Sequence, residues 1–242
     1  MSPQLLDLTF PSPEENLACD EVLLGLCEER DGPGVLRFWE PRTTFVVLGY
    51  SGKAADEVDL ARCRREGVPV LRRVTGGGTV VQGPGCLDYA LILPHRSDTA
   101  LSTITATNTY VMERIRSAVA ELRPGAVVRK EGDTDITVDG RKVAGSAHRR
   151  GTSHVLFHGV FLLEFDLTAM DRFLPVPAKQ PEHRRGRSHG EFVQNLEIPG
   201  SDLKQAISDA WGTVEGAVEV PKARISELIG TRYGRPSWNF KR

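Results

Sequence analysis

The residues best placed to do chemistry are Arg72-Arg73-Val74-Thr75-Gly76-Gly77-Gly78-Thr79-Val80-Val81. Glycines lack a Cβ, so a ligand can approach their main chain and positive φ is accessible, while paired guanidiniums supply fixed positive charge and forked donors. The stretch therefore suits a phosphorylated or carboxylated small molecule. No Gly-Lys-Ser/Thr follows the glycines, so it is no Walker-type loop, and the spacing is not that of a dinucleotide fingerprint. On its own the pattern also fits a glycine-rich hairpin with two exposed arginines.

A second segment complements the first: Asp133-Thr134-Asp135-Ile136-Thr137-Val138-Asp139-Gly140-Arg141-Lys142-Val143-Ala144-Gly145-Ser146-Ala147. Asp139-Gly140 between alternating stretches signals a tight hairpin. A two-residue turn there sets Val138 opposite Arg141, Thr137 opposite Lys142, Ile136 opposite Val143 and Asp135 opposite Ala144. Ile136 and Val143 then face a core. Asp135 and Lys142 share the other face as a diagonal pair roughly 7–8 Å apart, a gap sized for an anion or a metal-bridged phosphate. A solvated cross-strand charge pair is the plainer alternative. The run Ala144-Gly145-Ser146-Ala147 leaves room for a ligand, and it equally suits close strand packing.

Together the two segments resemble the lipoate-protein ligase A family of the biotin and lipoate ligases. Its signature is an Arg-Arg-x-Ser/Thr-Gly-Gly-Gly-x-Val loop, an Asp-Ile/Leu element, Gly-Arg/Lys-Lys-Val/Ile-x-Gly-x-Ala, and a later His-Gly on a strand. Each part occurs here in order, with His158-Gly159 inside the apolar run Val155 to Leu163. Val193-Gln194-Asn195-Leu196 matches the family's Val-x-Asn-Leu, and Tyr233 with Trp238-Asn239-Phe240 resembles the ending of its catalytic domain. The likeness runs from about residue 12 to Arg242.

The resemblance implies a two-step reaction in which lipoate and ATP form lipoyl-adenylate and pyrophosphate, and the lipoyl group then passes to a lysine of an acceptor. Arg72, Arg73 and a Mg2+ ion would neutralise the triphosphate. Lys142 matches the lysine that contacts the acyl carbonyl and the α-phosphate. Gly76, Gly77 and Gly78, with Thr79, Val80 and Val81, match the loop along the lipoyl chain and nucleotide. Asp135 would hold the metal or orient Lys142, and Gly145, Ser146, Ala147, His158 and Gly159 complete the implied site. No protein-built metal centre is expected. Implied partners are lipoyl-domain acceptor proteins, such as dehydrogenase-complex acyltransferase subunits or the glycine-cleavage H protein. Many relatives add a small C-terminal domain; here residues 1–242 are expected to form one catalytic domain, and a separate accessory subunit could supply the missing part.

Acyltransferases of the same superfamily move octanoyl groups from acyl carrier protein through a cysteine thioester. The chain has four cysteines, Cys19, Cys27, Cys63 and Cys86, and none follows position 86. In the cysteine-dependent relatives the nucleophile precedes the Asp-Ile element, where this chain reads Arg129-Lys130-Glu131-Gly132-Asp133-Thr134. Octanoyl transfer would thus have to use Cys86, a lone cysteine entering an apolar strand, which also suits a small buried hydrophobe. Cys63, on an expected second helix, reads as incidental, although the neighbouring arginines at 62, 64 and 65 would make it somewhat more reactive. A non-catalytic ligand-binding or accessory subunit is a third reading.

These residues need a scaffold. Ser12-Pro13-Glu14-Glu15 has a cap, a first-turn proline and a capping-box glutamate, predicting a helix over 13–30 with Cys19, Val22, Leu23, Leu26 and Cys27 buried. Further helices are predicted near 56–66, 102–122 and 202–211, and strands near 35–39, 44–49, 69–74, 87–93, 134–147 and 155–163. Hairpins outnumber crossover helices, so an α+β fold with a mixed, largely antiparallel sheet is expected. The basic run Lys179 to His189 reads as a surface loop that is either merely solvated or closes over an adenylate or an acidic acceptor. With 242 residues, 40% apolar and a net charge of −1, the chain can bury a large core and has no general pull toward nucleic acid or membrane. No signal peptide opens it, and a cytoplasmic location is expected.

Overall fold

The computed structural model describes residues 2–96, 98–177 and 180–241. Strand β1 (Gln4–Asp7) precedes helix α1 (Pro13–Arg30), strands β2 (Val35–Trp39) and β3 (Phe45–Leu48), short helices α2 (Ala54–Glu57) and α3 (Leu60–Glu66), and strands β4 (Val70–Arg72), β5 (Val80–Gln82) and β6 (Cys86–Pro94). Helix α4 (Ile104–Leu122) leads into β7 (Val128–Glu131), β8 (Asp135–Val138), β9 (Arg141–Arg150) and β10 (His154–Leu162). Then come α5 (Thr168–Phe173), α6 (His189–Phe192), α7 (Gly200–Trp211), β11 (Val214–Glu215), α8 (Lys222–Leu228) and α9 (Pro236–Asn239), apart from short 3-10 and π turns.

Among the described residues eight strands form one sheet, ordered β11-β1-β2-β6-β10-β9-β8-β7. Pairing is antiparallel from β2 through to β7 and parallel where β1 meets β2 and β11. A second sheet, β4-β3-β5, pairs β3 parallel to β4 and antiparallel to β5. The fold is α+β with a mixed, largely antiparallel sheet, as the hairpin count predicted. Among the described residues no helix is long and apolar enough to cross a membrane.

Strand alternation sorts the large sheet into two faces. Leu36, Phe38, Leu91 and Phe157 meet Val111, Met112 and Ile115 of α4 and Leu203 and Ile207 of α7. Trp39, Ala90, Ile92 and Leu156 turn the other way, onto Leu17, Cys19, Val22 and Leu23 of α1. Helix α1 begins as predicted: the Ser12 hydroxyl accepts from Glu15 N, and the Glu15 carboxylate accepts from Ser12 N. All five residues of its predicted stripe are buried. Burial pushes Cys19 up to about 12 and Cys27 to about 11, so both thiols act as small hydrophobes.

Two element predictions need correction. The helix expected over 56–66 is broken into α2 and α3, because Val58 is extended and Asp59 caps the second piece through Arg62 N. Strands β1, β5, β7 and β11 and helices α5, α6, α8 and α9 went unpredicted, being two to seven residues long; β7 reads Val-Arg-Lys-Glu, a charged edge with little apolar period.

One charge is embedded on the α1 face. Arg37 on β2 has no exposed surface, and its five N–H groups reach Asp20 Oδ1 at 2.6 Å, Asn16 Oδ1 at 2.6 Å, Asn16 O at 2.9 Å and Leu8 O at 2.9 and 3.1 Å. Full satisfaction is what makes a buried guanidinium tolerable. Asp20→Ala strands that charge, so urea unfolding should show a loss of about 3–5 kcal/mol. A loss below about 1 kcal/mol would fall within ordinary surface substitutions and show that the pair does not hold α1 to the sheet.

Candidate active site

The glycine loop leaves β4 and enters β5, crossing beyond the end of β3. Both arginines at its base point inward, which corrects the expectation that they face a triphosphate. Arg72 is fully buried, and its guanidinium donates to the carbonyls of Gly49, Tyr50, Gly52, Trp238 and Asn239 at 2.7–3.2 Å. The C-terminal segment returns the contact: Asn239 Oδ1 accepts from Arg72 N, and Trp238 Nε1 donates to Arg72 O. Arg73 lies beneath the glycines, donating to Gly76 O at 2.5 Å, Gly78 O at 2.9 Å and Thr75 Oγ1 at 2.9 Å. Desolvation pulls Arg73 down to about 10 while the Glu57 carboxylate acts the other way, so it stays cationic at neutral pH.

This clamp decides which loop atoms face outward. In a trans peptide the N–H points away from its carbonyl. Drawing the Gly76 and Gly78 carbonyls onto Arg73 therefore turns the N–H groups of Gly77 and Thr79 to the opposite side, where neither meets an acceptor among the described residues. Two parallel amides form a nest for an anion. Gly77 has φ +87°, and a Cβ there would lie 2.8 Å from Arg73 Nη2, so glycine is demanded twice over. A Cβ at Gly49 would sit 2.0 Å from Gly77 O. Around Gly76 and Gly78 there is open space. Thr79 is held by its hydroxyl, which donates to Glu57 Oε2 at 2.5 Å. Val80 is partly exposed beside the loop, whereas Val81 is buried with Val46 and Leu48 and does not line the site.

The β8–β9 hairpin departs from the predicted register by one β-bulge. Val138 pairs with Arg141 and Thr137 with Lys142 as expected, but Ile136 pairs with Ala144 and Asp135 with Gly145, leaving Val143 as the extra residue. In a regular strand Lys142 and Gly145, three apart, would point to opposite faces. The bulge reverses that parity and brings Lys142 Nζ to 2.8 Å from Asp135 Oδ1, so the expected 7–8 Å gap is closed by a direct ion pair. Gly145 provides the space, since a Cβ there would stand 2.6 Å from Lys142 Nζ.

The second Asp135 oxygen accepts from His183 Nε2 at 3.0 Å. Burial pushes the Asp135 carboxyl up, but the Lys142 charge and the His183 and Lys142 hydrogen bonds outweigh it and hold the group below the ordinary range. The basic run is therefore no loose loop. Arg184 and His189 are buried, Arg187 donates to Gly140 O and His183 O, and Arg184 and Arg187 both stack on Phe192. Lys179 lies outside the described residues.

His158 on β10 shares the face of Gly145 and Ala147. Thr75 Oγ1, which accepts from Arg73, is hydrogen-bonded to His158 Nε2 at 2.7 Å, and His158 Nδ1 meets Asp20 Oδ2 at 3.3 Å. The chain Arg73–Thr75–His158–Asp20–Arg37 thus ties the loop to α1. Ser146 belongs to the other face, bonded to Tyr89 OH at 2.7 Å; Gly159 makes room for both, since its Cβ would lie 2.5 Å from Ser146 Oγ and 2.8 Å from Tyr89 Cε1. Ala147 Cβ lies 3.7 Å from where a Gly77 Cβ would stand, so the loop and β9 close on one another. Cys63 is buried and its thiol is raised by desolvation, in keeping with an incidental cysteine and without the added reactivity its neighbours suggested.

Residues 12–208 match the family described as the lipoyl protein ligase A/B catalytic domain. The chain belongs to that family. An octanoyltransferase LipM of Carboxydothermus hydrogenoformans is 30% identical over 94% of this chain and 94% of its own length. Lipoate-protein ligase A subunit 1 of Thermoplasma acidophilum is 25% identical over 99% and 97%. Among solved structures, a lipoate-protein ligase A bound with ATP has a TM-score of 0.82 at 24% identity, covering 99% of both chains. A T. acidophilum protein with bound lipoic acid has a TM-score of 0.81 at 23% identity, covering 100% of both. At these identities the structural likeness carries the fold. The family thus includes enzymes named for both lipoate ligation and octanoyl transfer.

Asp20, Arg37, Gly49, His183 and the Trp238-Asn239 brace were not singled out individually as site residues in the sequence. Asp20, Arg37 and Gly49 sit in no motif, and only the fold brings them near the loop. For Mg2+, no group of three or more His, Cys, Asp or Glu side chains suited to a metal occurs among the described residues. Both oxygens of Asp135 are also engaged.

Because the folded Asp135 carboxyl titrates below its ordinary value of 3.8, its stabilisation is complete above that value and is lost as pH falls through the lowered one. The difference in unfolding free energy between the wild type and Asp135→Asn should be constant near neutrality and shrink below about pH 4. A difference unchanged at strongly acid pH would remove the assigned charge from Asp135.

Proposed function

We propose that the chain is a lipoate-protein ligase, activating lipoate with ATP and passing the lipoyl group to a lysine of a lipoyl-domain acceptor protein. The observation that carries this reading is that β9, which bears the Lys142 ammonium, closes on the loop with the two outward amides, Ala147 Cβ lying 3.7 Å from the Cβ position of Gly77. In activation a lipoate carboxylate oxygen attacks the α-phosphorus, a new P–O bond forms, and pyrophosphate leaves with the electron pair. The Gly77 and Thr79 amides are suited to the phosphate oxygens and Lys142 to the charge on the acyl carbonyl and α-phosphate. In transfer the acceptor amine attacks the acyl carbon, the C–O bond breaks, and AMP departs. Lys142 stabilises the oxyanion and is not acylated. Mg2+, on this reading, accompanies the triphosphate.

Relatives support the substrate classes: one similar structure holds lipoic acid, another ATP, and a third comes from an archaeal lipoylation system described as a bi-partite lipoate protein ligase and its E2 lipoyl domain. A separate accessory subunit remains compatible with that last example. Chain length is weakly discriminated by an apolar slot, at about 1–3 kcal/mol per methylene, so octanoate is an expected second substrate.

Octanoyl transfer through Cys86 is the competing reading, favoured by relatives named LipM. The thiol itself argues against it. Cys86 is 2% exposed, lies among Val160, Leu162 and Phe165, and is pushed far up by burial, with the Asp88 charge adding to the effect. A thioester nucleophile needs an accessible thiolate.

Lipoate-dependent exchange of labelled pyrophosphate into ATP by the purified chain tests the proposal. Exchange is expected with the wild type and with Cys86→Ser, and its loss with Lys142→Ala while the circular-dichroism spectrum is retained. No exchange with lipoate or octanoate, together with loss of octanoyl transfer in Cys86→Ser, would make the chain a transferase.

A further inference from the structure

His183 belongs to no family motif, yet it reaches the centre of the site. Its ring is inserted between Phe192, whose centroid lies 5.4 Å away, and Gly132, where a Cβ would come within 3.1 Å of Cε1. A leucine could fill such a slot. What a leucine could not supply is the Nε2–H that donates to Asp135 Oδ2 at 3.0 Å. The other oxygen of the same carboxylate, Oδ1, accepts from Lys142 Nζ at 2.8 Å. Asp135 thus has two donors, one per oxygen, on a side chain that is 15% exposed.

Those two bonds have different fates during the reaction. To stabilise charge on a bound acyl adenylate, the Lys142 ammonium must turn toward the ligand, away from Asp135 and out of the space over Gly145 that the pair now shares. A poorly solvated carboxylate abandoned by its cation would be left unsatisfied, and that penalty would oppose the movement. A second donor lowers the penalty. It spreads the carboxylate charge over two partners, which weakens the hold on Lys142, and it remains in place after Lys142 leaves.

We infer that His183 is a positioning residue that keeps Asp135 satisfied while Lys142 exchanges between the carboxylate and the acyl adenylate. The donor is anchored for this purpose. Arg187 Nη2 donates to His183 O at 2.9 Å, and Arg187 Nη1 donates to Gly140 O at 3.0 Å, so the imidazole is tied to the turn of the hairpin that carries its partner. Gln194 N donates to Lys142 O at 2.9 Å, joining the far end of the same segment to β9. The inference rests on the reading that Lys142 acts on an acyl adenylate.

The test compares His183→Leu, which keeps bulk and removes the donor, with His183→Gln, which keeps an N–H near the Nε2 position. Lys142 is acetylated with a succinimidyl ester, and its rate is referenced to exposed Lys222 by mass spectrometry. Modification of Lys142 should slow by about tenfold in His183→Leu, the worth of a hydrogen bond to a charged group, and return in His183→Gln. In pyrophosphate exchange, kcat should fall in His183→Leu with little change in KM for lipoate. Equal Lys142 reactivity in wild type and His183→Leu, or a glutamine variant as slow as the leucine one, overturns the inference. Labelling that shifts as expected in a chain that exchanges no pyrophosphate would support His183 as the second donor that loosens the Asp135–Lys142 pair and would sink the ligase reading together with the adenylate step.

Discussion

A guanidinium cannot be left without partners inside a protein, and much of this site follows from that constraint. Arg37, Arg72 and Arg73 are all buried, and their donors end on main-chain carbonyls, side-chain oxygens or one carboxylate. Such pairs need not add net stability, since desolvation takes back much of what they gain. Their effect is to fix geometry. Arg73 can be satisfied only if the glycine loop turns its carbonyls downward, and the loop can do so only with glycine at 77. The positive charge expected to meet a ligand directly instead orients the amides that would.

The second organising element is the parity change at Val143. Sheet faces are strict alternators, so a functional side chain is committed to one side by its count along the strand. The bulge places Lys142 on the same side as Gly145 and Asp135 while Val143 and Ala144 stay in the core behind them. The side chains of Lys142, Asp135 and His183 come from β9, β8 and the segment before α6. None of them lies on the glycine loop, which approaches from the smaller sheet. The two halves share an apolar core with α1, and the hydrogen bonds through Thr75 and His158 join them as well.

Much of this was legible in the residues. The capping box set the start of α1, Asp139-Gly140 set the hairpin turn, and the two motif segments, read together, do lie side by side. The signals were local, and local backbone rules were enough to read them. What escaped had a different origin. Whether an arginine faces a ligand or a carbonyl depends on strands distant in sequence, so Arg72 and Arg73 could not be oriented from their spacing. The bulge has no composition of its own, and one unmarked residue moved the register of Asp135. His183 lay in a run that read as a surface loop, either solvated or closing over a ligand or acceptor, because burial is a property of the fold rather than of composition.

The brace between the loop and the C-terminal segment has a consequence for biogenesis. Arg72 and the Asn239 carbonyl it holds are separated by 167 positions. During vectorial synthesis the strands that carry the loop emerge, and can begin to collapse, well before those carbonyls exist. Until residue 239 leaves the ribosome, the Arg72 guanidinium lacks two of its five carbonyl partners. The loop base is then an under-satisfied charge in a forming core. A nascent chain should consequently acquire its sheet earlier than the settled form of its glycine loop, and ribosome-stalled fragments would be folded in outline with that loop still unbraced.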